Sequence, residues 1–199
     1  MPRIVLFPGD GVGPEVMTEA VKVLTAVGHR FEQSFEFESC AIGGHALDRY
    51  GVPLRAEDVE ATRRADAALL GAVGGPKWDA VEPSLRPERG LLQLRKELGL
   101  FANLRPVSVL PELAASSPLK PEIIADVDLL VVRELTGGIY FGEPSQRWTD
   151  DRGRAAVDTL FYREHEIERI VRLAFELARE RRGRVMSVDK ANVLATSRL

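Results

Sequence analysis

"RIVLFPGDGVGPEV", residues 3–16, is the stretch on which the fold turns. Ile4 to Phe7 form a short apolar run of buried-strand length, and three glycines and Pro14 follow within seven residues. Pro14 suits the first turn of a helix, where its missing N–H would be unpaired in any case. The stretch therefore reads strand, tight loop, helix. That helix carries Val16, Ala20, Val21 and Leu24 on one side and is expected to stop near Gly28, a common C-terminal breaker. Downstream, "SFEFESCAI" (34–42) alternates like a strand. "ADAALLGAVGG" (65–75) is an apolar run ending in glycines, as a central parallel strand does when it meets a ligand loop, and "DVDLLVVRE" (126–134) repeats that pattern. "EHEIERIVRLAFELARERRG" (164–183) is the clearest helix: Ile167, Ile170, Val171, Ala174, Phe175 and Ala178 keep helical spacing, with glutamates in its first turn and arginines in its last. "GRVMSVDK" (183–190) reads as a further strand. Strands alternating with helices predict a doubly wound α/β architecture with its functional loops at strand ends.

The bulk properties narrow the function. At 199 residues and 45% hydrophobic content the chain has ample material for a buried core. A net charge of −3 argues against a polyanion binder, so nucleic acid is not an expected partner. Cys40 is the one cysteine; it has no intrachain disulfide partner and reads as a small buried side chain, which fits a reducing, cytoplasmic setting. The N-terminus enters a strand directly and no stretch reaches membrane-span length, so neither export nor a membrane partner is expected. His29, His45 and His165 lack metal-ligand spacing, so no metal site is assigned within this chain.

Residues 90–106, "GLLQLRKELGLFANLRP", carry more specific chemistry. On a helix starting near Glu88, the side chains of Glu88, Leu91, Leu92 and Arg95 share a face, with Arg95 about 6 Å along the axis from Leu91. Charge thus lies beside branched hydrocarbon. Arg105 precedes Pro106, which favours an extended backbone, and Arg133 ends an apolar strand. Three guanidiniums offer planar donor forks suited to two carboxylates, although any one arginine among the 22 present is more simply a solvated side chain. Tyr140, in "LTGGIYFGEP", is a general-acid candidate or an aromatic packed in a hairpin core. Lys190, among arginines, would have its ammonium form disfavoured and suit general-base use; alone, it is a surface lysine. The "GDGVGPE" loop departs from G-x-G-x-x-G and is a weak phosphate signal. "GAVGGPKWD" is a better ligand loop, since Gly74 and Gly75 permit close backbone approach and Pro76 fixes the exit.

Taken together, "GDGVGPEV", "LLGAVGGPKWD", "RPERGLLQLRKELGLFANLRP", "LTGGIYFGEP" and "SVDKANVL" closely resemble the 3-isopropylmalate dehydrogenases of leucine biosynthesis, in that family's order and spacing. The resemblance implies a β-decarboxylating dehydrogenase that uses NAD and Mg2+ or Mn2+ to oxidise 3-isopropylmalate and release carbon dioxide, giving 2-oxoisocaproate. It implies a carboxylate clamp of Arg95, Arg105 and Arg133, with Glu88, Leu91, Leu92 and Val193 around the isopropyl group and nicotinamide. Lys190 becomes the base acting through water on the 2-hydroxyl, and Tyr140 the acid that protonates the enol. Gly74, Gly75, Pro76, Lys77, Trp78, Asp79 and Pro87 become the nicotinamide-side NAD loop, with Asn192 at the same site. The family is homodimeric, the lysine arriving from the neighbouring subunit. The implied fold is a truncated isopropylmalate dehydrogenase-like sheet in residues 1–100 and a second α/β domain, residues 101–199, that binds substrate and carries a dimerisation arm. The resemblance extends to an N-terminal portion of the family only. The metal-binding aspartates and the segment that holds adenosine lie beyond it, so the 199 residues alone are expected to be inactive. Two other readings stand beside this one: a sister enzyme acting on homoisocitrate or tartrate, and a non-catalytic dimerisation module.

Overall fold

The computed structural model describes all 199 residues, and the chain divides into two compact units, Met1–Gly99 and Leu100–Leu199.

In the first unit, β1 (Arg3–Gly9), β2 (Glu36–Ser39) and β3 (Ala67–Ala72) form a parallel sheet in the order β2-β1-β3. The central strand begins the chain, so the connection to β2 leads to one side of β1 and the next to the other. The two connections diverge at the carboxyl ends of the strands, which is where α/β sheets open a crevice for a ligand. Helix α1 (Gly13–Arg30), which Pro14 starts, packs against β1 and β3. Val5 and Phe7 point to one face of β1 and are fully buried with Ile42, Leu54, Val59, Ala61 and Leu94. That cluster joins β1 to α3 (Ala56–Arg63), to α4 (Pro87–Glu97) and to Ile42, which caps α2 (Gly43–Tyr50).

The second unit is built from ribbons. β4 (Ala102–Ser108) pairs antiparallel with β5 (Asp128–Glu134), linked through the short α5 (Pro121–Ile124). β6 (Gly142–Asp150) and β7 (Gly153–Thr159) form a hairpin, and α6 (Glu164–Arg179) packs on β5. Glu134 and Asp128, on one face of β5, meet Arg169 and Arg181 of α6 at 2.7 and 2.6 Å, so α6 covers that face.

Several local expectations need correction. α1 runs past Gly28 to Arg30, and Gly28 is buried beside Gln33 and Phe35 where the chain turns back. The predicted strand 34–42 is extended only over Glu36–Ser39, with Ile42 making an isolated bridge to Leu54. "DVDLLVVRE" does not lie in a parallel sheet, because its neighbour β4 runs antiparallel to it. α6 ends at Arg179, four residues short of Gly183, whose left-handed backbone lets its N–H bond back to the Ala178 carbonyl. Residues 183–190 are irregular rather than a strand, and every one of them is exposed.

Candidate functional site

In the first unit, the expected cofactor loop leaves the carboxyl end of β3. Pro76–Trp78 form a single 3-10 turn, and Gly75, Trp78, Asp79, Arg86, Pro87 and Glu88 line a cavity of about 230 Å³. Trp78 lies flat over Gly44, where a side-chain Cβ would come within 2.2 Å of the indole. Its Nε1–H donates to Asp48 at 3.1 Å, and Lys77 donates to the same carboxylate at 2.5 Å. Those two hydrogen bonds hold the Asp48 carboxyl below its ordinary pKa. The loop is thereby fastened to α2.

Helix α4 begins at Pro87 and buries Pro87, Gly90 and Leu94 at i, i+3, i+7 spacing. Leu91, Leu92 and Arg95 occupy the half-exposed side and Glu88 is exposed, so the four residues expected on one face are not the ones the core consumes.

In the second unit, Asn103 stands directly opposite Arg133 in the β4–β5 register, and Arg105 lies two residues along from Asn103. Alternation therefore puts Arg105, Asn103 and Arg133 on one face, the face away from α6. Arg105 Nε donates to Asn103 Oδ1 at 2.9 Å, which orients that guanidinium. The Arg133 guanidinium lies 5.0 Å from the centre of the Tyr140 ring. Tyr140 itself ends a 3-10 turn, Gly138–Tyr140, and is 56% exposed, so it is not packed in a hairpin core.

The turn that carries Tyr140 is braced from behind. Glu134 accepts from the Gly137 backbone N–H at 2.8 Å, from Thr136 at 2.9 Å and from Arg169. Burial alone would raise its pKa, yet the Gly137 amide, Arg169 and Thr136 outweigh that and bring it below the ordinary value. Tyr162 packs against Gly137 and Gly138, and burial followed by the charge of Glu134 raises its phenol pKa.

Lys190, Asn192 and Val193 occupy a separate C-terminal turn. Lys190 is exposed; its backbone N–H donates to Ser197 Oγ at 3.1 Å, and its carbonyl accepts from the amides of Val193 and Leu194. No three His, Cys, Asp or Glu side chains gather anywhere as a metal's donor set.

Sequence reasoning missed four residues that organise these regions. Asp10 is buried between Gly9 and Gly11 and binds three backbone amides. Asn103 shares a strand face with Arg105, a relation readable from their spacing of two. Glu134 and Arg169 are 35 positions apart, and nothing local links them.

The family described as isocitrate/isopropylmalate dehydrogenase matches residues 3–199. The chain belongs to this family. Among curated relatives, it is 58% identical over 198 residues to the 3-isopropylmalate dehydrogenase of Bacillus licheniformis, covering 99% of this chain and 54% of that one. With the 3-isopropylmalate dehydrogenase of Pseudomonas putida it shares 57% identity, covering 99% and 55%. The chain thus spans about half the length of the curated relatives it matches. Among solved structures, an isocitrate dehydrogenase from Methylococcus capsulatus superposes with a TM-score of 0.80 at 30% identity, covering 99% of this chain and 53% of the other. A β-decarboxylating dehydrogenase from Thermococcus kodakarensis in its apo form gives 0.70 at 35% identity, covering 100% and 52%. The isocitrate/isopropylmalate dehydrogenase fold therefore accounts for both the parallel sheet and the antiparallel ribbons.

Proposed function

We propose that the chain is the part of an NAD-dependent 3-isopropylmalate dehydrogenase that recognises substrate and the nicotinamide side of the cofactor. One observation carries this reading: Arg105 and Arg133 share the open face of the β4–β5 ribbon, and Arg133 lies over the ring of an exposed Tyr140. Two guanidiniums beside a phenol suit a dicarboxylate that must be held and then protonated. In the first unit, the half-buried Leu91 and Leu92 next to Arg95 suit a branched hydrocarbon that carries a carboxylate.

The division of labour follows the two units. Residues 1–100 hold the nicotinamide end of NAD, for which the cavity beside Gly75, Trp78, Asp79, Pro87 and Glu88 offers apolar and polar walls. Gly74, Pro76 and Lys77 belong to the same loop. When bound, NAD supplies the hydride acceptor. Residues 101–199 clamp the carboxylates through Arg105 and Arg133; Arg95, on α4 of the first unit, is a further carboxylate ligand by resemblance to the family alone. Lys190, through water, would take the proton of the 2-hydroxyl. Loss of carbon dioxide leaves an enol, to which Tyr140 delivers a proton. Asn192 and Val193 follow Lys190 on the same turn and would contribute cofactor and substrate contacts there. No three His, Cys, Asp or Glu side chains of this chain gather in a way that fits Mg2+ or Mn2+. The β6–β7 hairpin serves as the dimerisation arm that brings Lys190 to a partner copy.

The test is a substrate panel in the full-length protein, with NAD reduction followed on 3-isopropylmalate, isocitrate, homoisocitrate and tartrate. 3-Isopropylmalate should give the highest kcat/KM. Replacing Leu91 and Leu92 with serine should erode that preference by roughly 10–200-fold, the discrimination that apolar contact supplies. A preference left intact by the double substitution would remove these leucines from the pocket.

A further inference from the structure

The loop "GDGVGPE" has no place in the chemistry above, yet its Asp10 is among the most buried charged residues of the first unit, at 4% exposure. Its carboxylate contacts three backbone amides from two distant segments. Oδ2 accepts from Gly44 N–H at 2.8 Å and from Gly74 N–H at 2.8 Å, while Oδ1 accepts from His45 N–H at 2.7 Å. The Asp10 backbone closes the same junction, since its N–H donates to the Ala72 carbonyl at 2.7 Å and its own carbonyl accepts from Gly13 at 2.8 Å. One residue therefore joins the end of β1, the start of α2 and the first residues of the cofactor loop, at the point where the sheet's connections diverge.

We propose that Asp10 is the positioning residue of the cofactor loop: its carboxylate fixes Gly74 and α2 as one body, so that the loop is preformed before any dinucleotide arrives. That this loop meets NAD rests on the function proposed above; the lock itself does not. All three partners are N–H donors, so the site demands acceptors on both side-chain oxygens. A carboxylate meets that demand. An asparagine would turn its NH2 group toward an amide N–H on one side, leaving a buried donor without an acceptor.

The rest of the loop depends on what Asp10 holds. Trp78 rests on Gly44, one of the residues bonded to Asp10, and Asp48 of the same helix receives Trp78 and Lys77. On the other side, Glu88 Oε1 lies 2.5 Å from where a Cβ on Gly74 would stand, so Gly74 also abuts the first turn of α4, the helix of Leu91, Leu92 and Arg95. The carboxylate thus lies under both the cofactor loop and the start of the substrate-facing helix.

Amide hydrogen exchange on the unmodified 199-residue chain gives the first test. Gly44 and His45 are first-turn amides and Gly74 is a loop amide, positions that exchange fast when they face water. The lock requires all three to be protected and to open together; fast exchange at Gly74 overturns it. The second test is Asp10→Asn in a Trp148→Phe background, which leaves Trp78 as the single indole. Exchange across 74–79 should rise at least tenfold and Trp78 emission should shift to the red, with β1 amides unchanged. Equal loosening of β1 and the loop would mean a general loss of stability and overturn a positioning role. In the full-length enzyme, Asp10→Asn should raise the KM for NAD at least tenfold, and by a larger factor than it raises the KM for the substrate. A loosened loop with an unaltered KM for NAD would uphold the lock and refute the assignment of this loop to the cofactor.

Discussion

Leu94 and Leu91 sit three residues apart on α4 and meet different surroundings. Leu94 is 5% exposed within the core cluster of the first unit, so Leu94→Ala removes packed methyl groups and should destabilise that unit by about 2–5 kcal/mol. Leu91, half-exposed, should cost less than half as much when shortened to alanine, and urea midpoints of the two variants compare them directly. Cys40 tests the same core by chemistry. Burial first, then the negative charges of Asp58 and Glu38, push its thiol up to about 12. Little thiolate forms near neutrality, so half-buried Cys40 should react with an aromatic disulfide reagent at mildly alkaline pH more slowly in the folded chain than after denaturant is added. Equal labelling rates in the folded and unfolded chain would show that the core does not shield this thiol.

At the scale of elements, the turn bearing Tyr140 is held by Glu134, whose carboxyl is more acidic than usual. A carboxyl with a lowered folded-state pKa stabilises fully above its unfolded value, about 4.3, and that contribution disappears as pH falls through the lowered value. The second unit should therefore melt at progressively lower temperature below about pH 4.3, and Glu134→Gln should flatten this dependence. Parallel curves for the two proteins would exclude Glu134 as its source. The elements differ in how far the sequence announced them. β1, the start of α1 and the start of α6 were legible because an apolar run, Pro14 and the Glu164–Glu166 first turn are local signals. The face shared by Glu88, Leu91, Leu92 and Arg95 was legible from helical spacing, and the core takes Pro87, Gly90 and Leu94 of the same helix instead. The direction of β5 was not legible, because an apolar run has no sign of which neighbour it will pair with. "GRVMSVDK" has strand composition but finds no pairing partner in this chain, so propensity alone did not decide its structure. Asp10 and Glu134 went unassigned because their partners come from residues far along the sequence.

Across the whole molecule, the two units have distinct cores and distinct chemical equipment. The ribbon face opposite α6 exposes Val107, Leu129 and Val131 beside Arg105 and Arg133, an apolar and cationic surface on a two-stranded sheet with open edges. The 22.0 kDa chain by itself should therefore bind a hydrophobic dye and elute above its monomer mass, and it should not reduce NAD with 3-isopropylmalate. A monodisperse monomer without dye binding would contradict this account of the surface. The most direct test of the central claim is a double-mutant cycle on Arg105→Gln and Arg133→Gln in the full-length enzyme, read as kcat/KM for 3-isopropylmalate. Two guanidiniums on one dicarboxylate should each cost at least tenfold alone and show a coupling of at least about 0.5 kcal/mol together. Small, additive losses would mean that the two arginines do not grip one substrate.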